Sequence, residues 1–494
     1  MFEKITPEQA GISSQKVAEY ISMLERRGLA THSVLMMKGD KIFAEYYWAP
    51  FHQDFCHRMY SQTKSYVGIA IGLLVDDGKL DLDEKIASFF PEKIDTELAP
   101  ELADQTVRQM LTMTTCGKSA NWFRSEDPDR THLYFQPREK YRPAGTVWEY
   151  DSPGSQVLTN LVEKLSGKSL FDFMNERIFS HLGTFQTAEI LKAPNGDSWG
   201  DSALICTTRD MASFGRLLMK NGNWEGKQLI SEDYVKEATA ALVDNRENCH
   251  GDFWSEGYGY QIWRTNYNSF GFNGMGCQMT VCTPDKDFLF TITADNQGNP
   301  TAKNSIIGGV MDLIVAEMSD TPLREDKEAE KKLEEVTCDL KLKAVQGKAD
   351  SPLREEISGK TYICAPNKLG MEQFSFVFNG TEDGEFRYVN EQGEKIIPFG
   401  VNKNVFGKFP QLGYANERGR VPTTDGFMYD DAVSVCWAQD NRILMYVQII
   451  DKYFGNMSVA FGFSGEEVTC HFSKAAEHFL DEYEGEFVAK QILK

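Results

Sequence analysis

Hydrophobic residues recur at helical spacing over residues 15–27, which predicts an amphipathic helix near the start of the chain. The stretch that follows, "HSVLMMKGDKIFAEYYW", holds two β-rich runs on either side of a Gly-Asp turn and predicts a hairpin. Helical spacing then dominates to about Gly222. Within it, residues 66–75 are apolar on nearly every side, the pattern of a helix buried all round. A second hairpin is predicted at 277–296, "CQMTVCTPDKDFLFTITADN", with Pro284-Asp285 as its turn, and "SIIGGVMDLIVAEM" at 305–318 has the length and spacing of a helix. Strands at both ends with helices between them require one sheet assembled from distant segments, its faces covered by helices. That is an α+β arrangement.

From Ser319 to about Ser358 the chain turns strongly charged, as in "LREDKEAEKKLEEV", the mark of a surface helix or linker. Beyond it, short alternating runs recur between turn residues, among them "QFSFVFNGTEDGEFRYVN" and "AVSVCWAQDNRILMYVQII", and predict an antiparallel sheet or small barrel. The expected organisation is a helix-covered sheet domain over 1–320, a charged linker or helix over 321–357 and a β-rich accessory domain over 358–494.

Composition narrows the function. At 494 residues the chain can hold two cores, and 41% hydrophobic with 25% charged residues is a folded, globular balance. A net charge of −21 turns away nucleic acid, whose binders neutralise phosphates with Lys and Arg. The ten cysteines are dispersed, without a Cys-x-x-Cys pair or a Cys/His cluster at zinc-ligand spacing. Neither a metal site nor a disulfide scaffold is indicated, and reduced thiols are the simpler reading. The start, "MFEKITPEQAGISSQKV", lacks a basic segment followed by an apolar core, and the longest apolar run reaches about half a bilayer span. A cytoplasmic chain without a membrane segment is expected.

One feature of the apolar run is chemical. It opens with Ser61 and Lys64, which helical spacing places on one face at the first turn. The same helix end offers unpaired backbone N–H groups and the positive pole of the helix dipole, which suit a developing oxyanion. Desolvation disfavours an ammonium, so a lysine in such a run is expected to become a base beside a hydroxyl nucleophile. A second Ser-x-x-Lys, Ser13 with Lys16, reads instead as a helix N-cap followed by an exposed lysine. Only Lys64 leads into a stretch that a protein would bury all round, and Gly68 and Gly72 permit close helix packing there.

With these residues and several longer segments, the chain resembles the serine β-lactamase and penicillin-binding-protein-like hydrolases, in particular the class C β-lactamase and esterase branch. The resemblance runs from about Thr6 to Met318 and includes "YSQTKSYVGIAIGLLVDDGKLDLDEKIASFFPE", "VRQMLTMTTCG", "PAGTVWEYDSPGSQVLTNLVEKLSGKSLFDF", "LICTTRDMASFGRLLMKNG" and "GYGYQIW". It implies Ser61 as nucleophile, Lys64 as its base and Tyr150 as the phenol that shares and delivers the proton. Ser152, third in the Tyr-x-Ser motif, would join the same network. Similar triplets at Tyr20, Tyr267, Tyr388 and Tyr414 lack the preceding Pro-Ala-Gly turn and following helix. At the third motif the chain departs from the family: Phe272-Asn273-Gly274 stands where Lys-Thr-Gly or His-x-Gly is usual, just ahead of an expected edge hairpin. Neither Phe272 nor Asn273 supplies a cation for a penicillin carboxylate. By resemblance the N–H groups of Ser61 and Met275 form the oxyanion hole.

Trp122, Phe123, Trp148, Tyr258 and Trp263 are candidates for a cleft wall, though aromatics at this density more often pack as core or rim. His57 and His250 are more simply structural. The function expected is a serine hydrolase without metal or cofactor, acting on an ester or amide of a small molecule or short peptide, with acyl transfer open. D-aminopeptidase or β-lactamase activity, and a non-catalytic ligand-binding or sensing relative, are the alternatives. Neither nucleic acid nor membrane is an expected partner; self-association is left open.

Overall fold

The computed structural model describes residues 2–119, 122, 125–248, 253–410, 428–476 and 480–492. Phe123, His250 and the triplet beginning at Tyr414 lie outside the described residues. Residue contacts divide the chain into two units, Met1–Asn296 with Thr301–Lys341, and Gln297–Pro300 with Leu342–Lys494.

In the first unit, strands β1 (Glu3–Lys4), β2 (Thr31–Lys38), β3 (Lys41–Tyr47), β4 (Trp263–Thr265), β5 (Ser269–Gly274), β6 (Gln278–Thr283) and β7 (Phe288–Ala294) form one mixed sheet, ordered β1-β3-β2-β7-β6-β5-β4. β1 runs parallel to β3, and the other neighbours are antiparallel. The join between distant segments is β2 against β7, in register from Lys38↔Phe288 to Ser33↔Thr293. The β6–β7 hairpin therefore lies inside the sheet, correcting the expectation of an edge hairpin; that edge belongs to β4.

Six helices matter for the site and its support: α1 (Ser14–Arg26), α2 (Thr63–Asp76), α3 (Ser152–Ser166), α4 (Thr208–Met219), α5 (Ala302–Val310) and α6 (Lys327–Thr337). Leu35, Met37, Cys282 and Leu289 pack with residues of α2, α3 and α4 on one sheet face. Val34, Met36, Val281, Phe290 and Ile292 pack with α1 and α5 on the other. Covered on both faces, the central strands read as continuous apolar runs without alternation. The charged stretch contributes α6, which buries Ala329 and Leu333 within the first unit.

α2 is buried from Thr63 to Leu74. Its neighbours come so near that a Cβ on Gly68 would collide with the Tyr260 carbonyl, and one on Gly72 with the Tyr234 ring. Tyr234 Oη fills the space by donating to the Gly68 carbonyl at 2.6 Å.

Among the described residues the second unit is a ten-stranded, mainly antiparallel sheet running from Thr361–Cys364 to Gly485–Gln491. Strand Gly393–Val401 also meets Asp430–Gln439 in parallel at Gly400↔Ser434 and Val401↔Val435, which closes the sheet into a barrel. Alternation turns Phe374, Phe376, Phe386 and Phe461 inward, ring against ring.

Candidate active site

Ser61 sits in a single 3-10 turn, Tyr60–Gln62, that runs directly into α2. The turn is held from several sides. A short strand His57–Arg58 pairs with Leu204–Cys206, and the Met59 N–H donates to the Leu204 carbonyl at 2.8 Å. Thr63 Oγ1 donates to the Tyr60 carbonyl at 2.6 Å and accepts from the Leu204 N–H at 3.1 Å. Tyr60 has φ +47°, a left-handed backbone that a bulky residue adopts at a cost of order 1–3 kcal/mol. From the sheet side β5 closes in: a Cβ on Gly274 would collide with the Met59 carbonyl, so no side chain fits there.

Lys64 is 1% exposed, and its Nζ donates to Ser61 Oγ at 3.0 Å. It also donates to the Asp201 carbonyl at 2.7 Å, and Oδ2 of the same residue lies 3.7 Å away. Sequence reasoning missed this carboxylate. Asp201 stands beside the quoted segment "LICTT" but 137 residues from Lys64, and nothing local marks it. Lys64 is thus half of a buried ion pair, not an amine among apolar groups alone. The other carboxylate oxygen, Oδ1, is 3.9 Å from Arg130 and accepts from Ser202 Oγ at 3.4 Å.

Tyr150 reaches Lys64 with its ring, whose centroid is 5.1 Å from Nζ. That ring stacks on Trp263 at 5.8 Å, part of a buried aromatic group with Trp148 and Tyr258. These tryptophans pack as core behind Tyr150. Among the described residues no hydrogen bond joins the Tyr150 hydroxyl to Ser61 or Lys64, and none engages the Ser152 hydroxyl. Ser152 is instead the first residue of α3, whose N-cap is Asp151, accepting from the Gly154 N–H at 3.2 Å. Burial pushes the Asp151 carboxyl above its ordinary value, against the opposing pull of Arg138, the Gly154 N–H, Thr115 and Lys64.

The third motif divides by strand parity. Phe272 is fully buried, its ring in a cluster with Phe214 at 5.6 Å and Tyr66 at 6.3 Å. This corrects its assignment to substrate contact: the side chain belongs to the helix–sheet core. Asn273 points to the opposite face and is half-buried. Met275 follows in the turn after β5, and among the described residues neither its backbone N–H nor that of Ser61 has a protein acceptor.

Other cations and aromatics build the wall beside Ser61. Arg58, fully buried, stacks between Tyr60 at 4.6 Å and Trp199 at 4.4 Å, and donates from Nε to the Ser202 carbonyl at 3.1 Å. Arg130 stacks between Trp199 at 4.6 Å and Trp122 at 4.1 Å. His57 Nδ1 donates to the Arg58 carbonyl at 2.9 Å, which leaves Nε2 to accept from His32 Nδ1 at 2.9 Å. The histidine is therefore part of the support of the Ser61 turn.

A description of the Beta-lactamase family matches residues 15–308. The 6-aminohexanoate-dimer hydrolase of Paenarthrobacter ureafaciens is 25% identical over 292 residues, 55% of this chain and 74% of that protein. A penicillin-binding protein homologue from Caulobacter crescentus superposes with a TM-score of 0.52 at 17% identity, covering 62% of this chain and 98% of that one. EstCE1, described as a hydrolase with promiscuous acyltransferase activity, superposes with a TM-score of 0.50 at 13% identity, covering 60% of this chain and 99% of its own. No helix among the described residues is long and apolar enough to cross a membrane.

Proposed function

The chain belongs to the beta-lactamase family and is a serine hydrolase, and from this premise we propose that it cleaves an ester or amide of a small molecule or short peptide through an acyl-enzyme on Ser61. The observation that carries the choice of residue is the 3.0 Å hydrogen bond between Lys64 Nζ and Ser61 Oγ at the entry of a buried helix. Lys64, as the free amine, takes the Ser61 proton while Oγ bonds to the substrate carbonyl carbon. The N–H groups of Ser61 and Met275 hold the carbonyl oxygen as negative charge builds on it. Tyr150 passes a proton to the leaving alcohol or amine as its bond to the acyl carbon breaks. Water then attacks the acyl carbon, its proton returns through the same groups, and Ser61 is restored. An alcohol or amine in place of water would give acyl transfer from the same intermediate.

The third motif bears on substrate. Phe272 and Asn273 bring no cation to the place where the family holds a carboxylate, which weighs against β-lactamase and in favour of uncharged esters and amides. The relative named for the 6-aminohexanoate dimer adds that dimer to the substrates to be tested. We extend the proposal to a reducing, cytosolic setting: the nine described cysteines are free thiols, the state such a compartment maintains.

The test is intact mass and turnover with a fluorophosphonate, a p-nitrophenyl ester and a penicillin, wild type beside Ser61→Ala. Wild type is expected to gain the fluorophosphonate adduct and hydrolyse the ester, and the variant to do neither. A wild type inert to every probe would overturn the proposal, and rapid penicillin turnover would overturn the part that rests on the missing cation of the third motif.

A further inference from the structure

We propose that Asp201 is the positioning residue for Lys64, holding its Nζ against Ser61 from both main chain and side chain while Arg130 balances the carboxylate. The inference rests on Ser61 and Lys64 being the reacting pair.

A lysine has a flexible four-carbon stem and loses close to 2 kcal/mol of rotamer freedom when fixed. Something must therefore define where Nζ points. Among the described residues three polar contacts do so, and two come from Asp201: its carbonyl at 2.7 Å and its Oδ2 at 3.7 Å, with Ser61 Oγ at 3.0 Å as the third. Asp201 is tied to the nucleophile's own scaffold. Leu204–Cys206, which begins three residues on, pairs with His57–Arg58, and the Arg58 side chain grips the adjacent Ser202 carbonyl. Ser61 and Asp201 thus hang from one pair of strands, and the Lys64 ammonium spans the gap between them.

Arg130 explains how the arrangement survives a proton transfer. The side chains of Lys64, Asp201 and Arg130 are 1%, 4% and 5% exposed, so little water reaches any of them. A carboxylate buried beside Lys64 alone would lose its counter-ion whenever the amine gave up its proton, and an uncompensated buried charge is strongly destabilising. Arg130 lies 3.9 Å from Oδ1 and is clamped between the rings of Trp122 and Trp199, which fixes the guanidinium in place. Asp201 therefore keeps a cation beside it in both protonation states of Lys64. Among the described residues the other charged or titratable groups facing Lys64 are Tyr150, through its ring, and Asp151.

Asp201→Asn keeps the main-chain acceptor and the side-chain volume and removes the charge. Its kcat/KM for a p-nitrophenyl ester is expected to fall about 10²-fold, the penalty of a misplaced catalytic group, with the loss in kcat and not in KM. The pH of half-maximal kcat/KM should move down, because a carboxylate 3.7 Å from Nζ favours the ammonium. Arg130→Gln should move that midpoint up, since among the described residues Lys64 is then the cation left beside the Asp201 carboxylate. A purely structural role would lower activity in both variants without opposite displacements. Midpoints that stay put in both variants, or move in the same direction, overturn the inference; should Asp201→Asn fail to fold, an unmoved midpoint in Arg130→Gln suffices. A Ser61→Ala control that labels with fluorophosphonate as wild type does would instead remove the underlying assignment, and would do so whatever the other two variants show.

Discussion

Tyr150 presents its ring to Lys64 and stacks the other side against Trp263. Tyr150→Phe keeps that packing and deletes the hydroxyl alone. Its kcat is expected to drop by about 10² to 10⁴, the usual contribution of an acid–base group, with an unchanged melting temperature. Steady-state kinetics beside a thermal melt would check this, and a variant as fast as wild type would mean that the proton travels without the phenol. At this scale the Ser61–Lys64 contact was legible because helical spacing is a local property. Asp201 was not, because its link to Lys64 exists only through the fold. Phe272 was misread for a different reason: a strand sends successive side chains to opposite faces, and sequence alone does not say which parity meets the core. Gly274, pressed on Met59, shares the parity of Phe272, so the phenylalanine ring follows it into the helix–sheet layer.

Among elements, α2 carries the most demanding fit. Gly72→Val would drive a branched side chain into the Tyr234 ring, and overpacking of this kind costs about 1–3 kcal/mol, so chemical denaturation should show a lower midpoint. Gly274→Ala acts elsewhere, forcing β5 away from the Met59 carbonyl and moving the Ser61 turn. Ester hydrolysis should fall by about 10²- to 10³-fold in that variant, the loss of one well-placed oxyanion donor; full activity would show that the turn tolerates the shift. The element pattern itself was largely readable. Ser13 caps α1 through the Gln15 N–H at 3.2 Å, so the two Ser-x-x-Lys copies differ in the way their contexts implied. The place of the β6–β7 hairpin within the sheet was not readable, since neighbours on both sides come from remote segments.

Within the molecule as a whole, a buried histidine pair in the first unit and a buried carboxyl in the second respond to pH in opposite senses. In the first, burial lowers His57 to about 3 and holds His32 well below its usual value, with His57 adding to the latter effect. Both folded values lie below the unfolded value near 6.5, so the unfolded chain binds protons that the fold refuses. Stability contributed here is full above about pH 6.5 and is lost as pH falls from there towards 3. In the second unit, burial, reinforced by Asp430, raises Asp431 to about 7. A raised carboxyl acts in the other sense: its contribution is full below the unfolded value near 3.9 and is lost as pH rises through 7. Asp431→Asn should therefore raise the melting temperature at pH 8 and leave it unchanged at pH 4, whereas His57→Asn should flatten the acid limb. Scanning calorimetry across pH 3–8 would check both, and an Asp431→Asn curve parallel to wild type would refute the role given to Asp431.

The pairing of β2 with β7 has a bearing on how the chain is made. A ribosome releases the serine and its lysine early, yet the strand that completes the middle of their sheet is more than two hundred residues behind. Until it emerges, apolar segments such as "SVLMM" wait with a bare flank, and pairings this remote in sequence form slowly. Chains arrested before residue 288 would carry Ser61 and Lys64 but lack the strand that finishes their sheet.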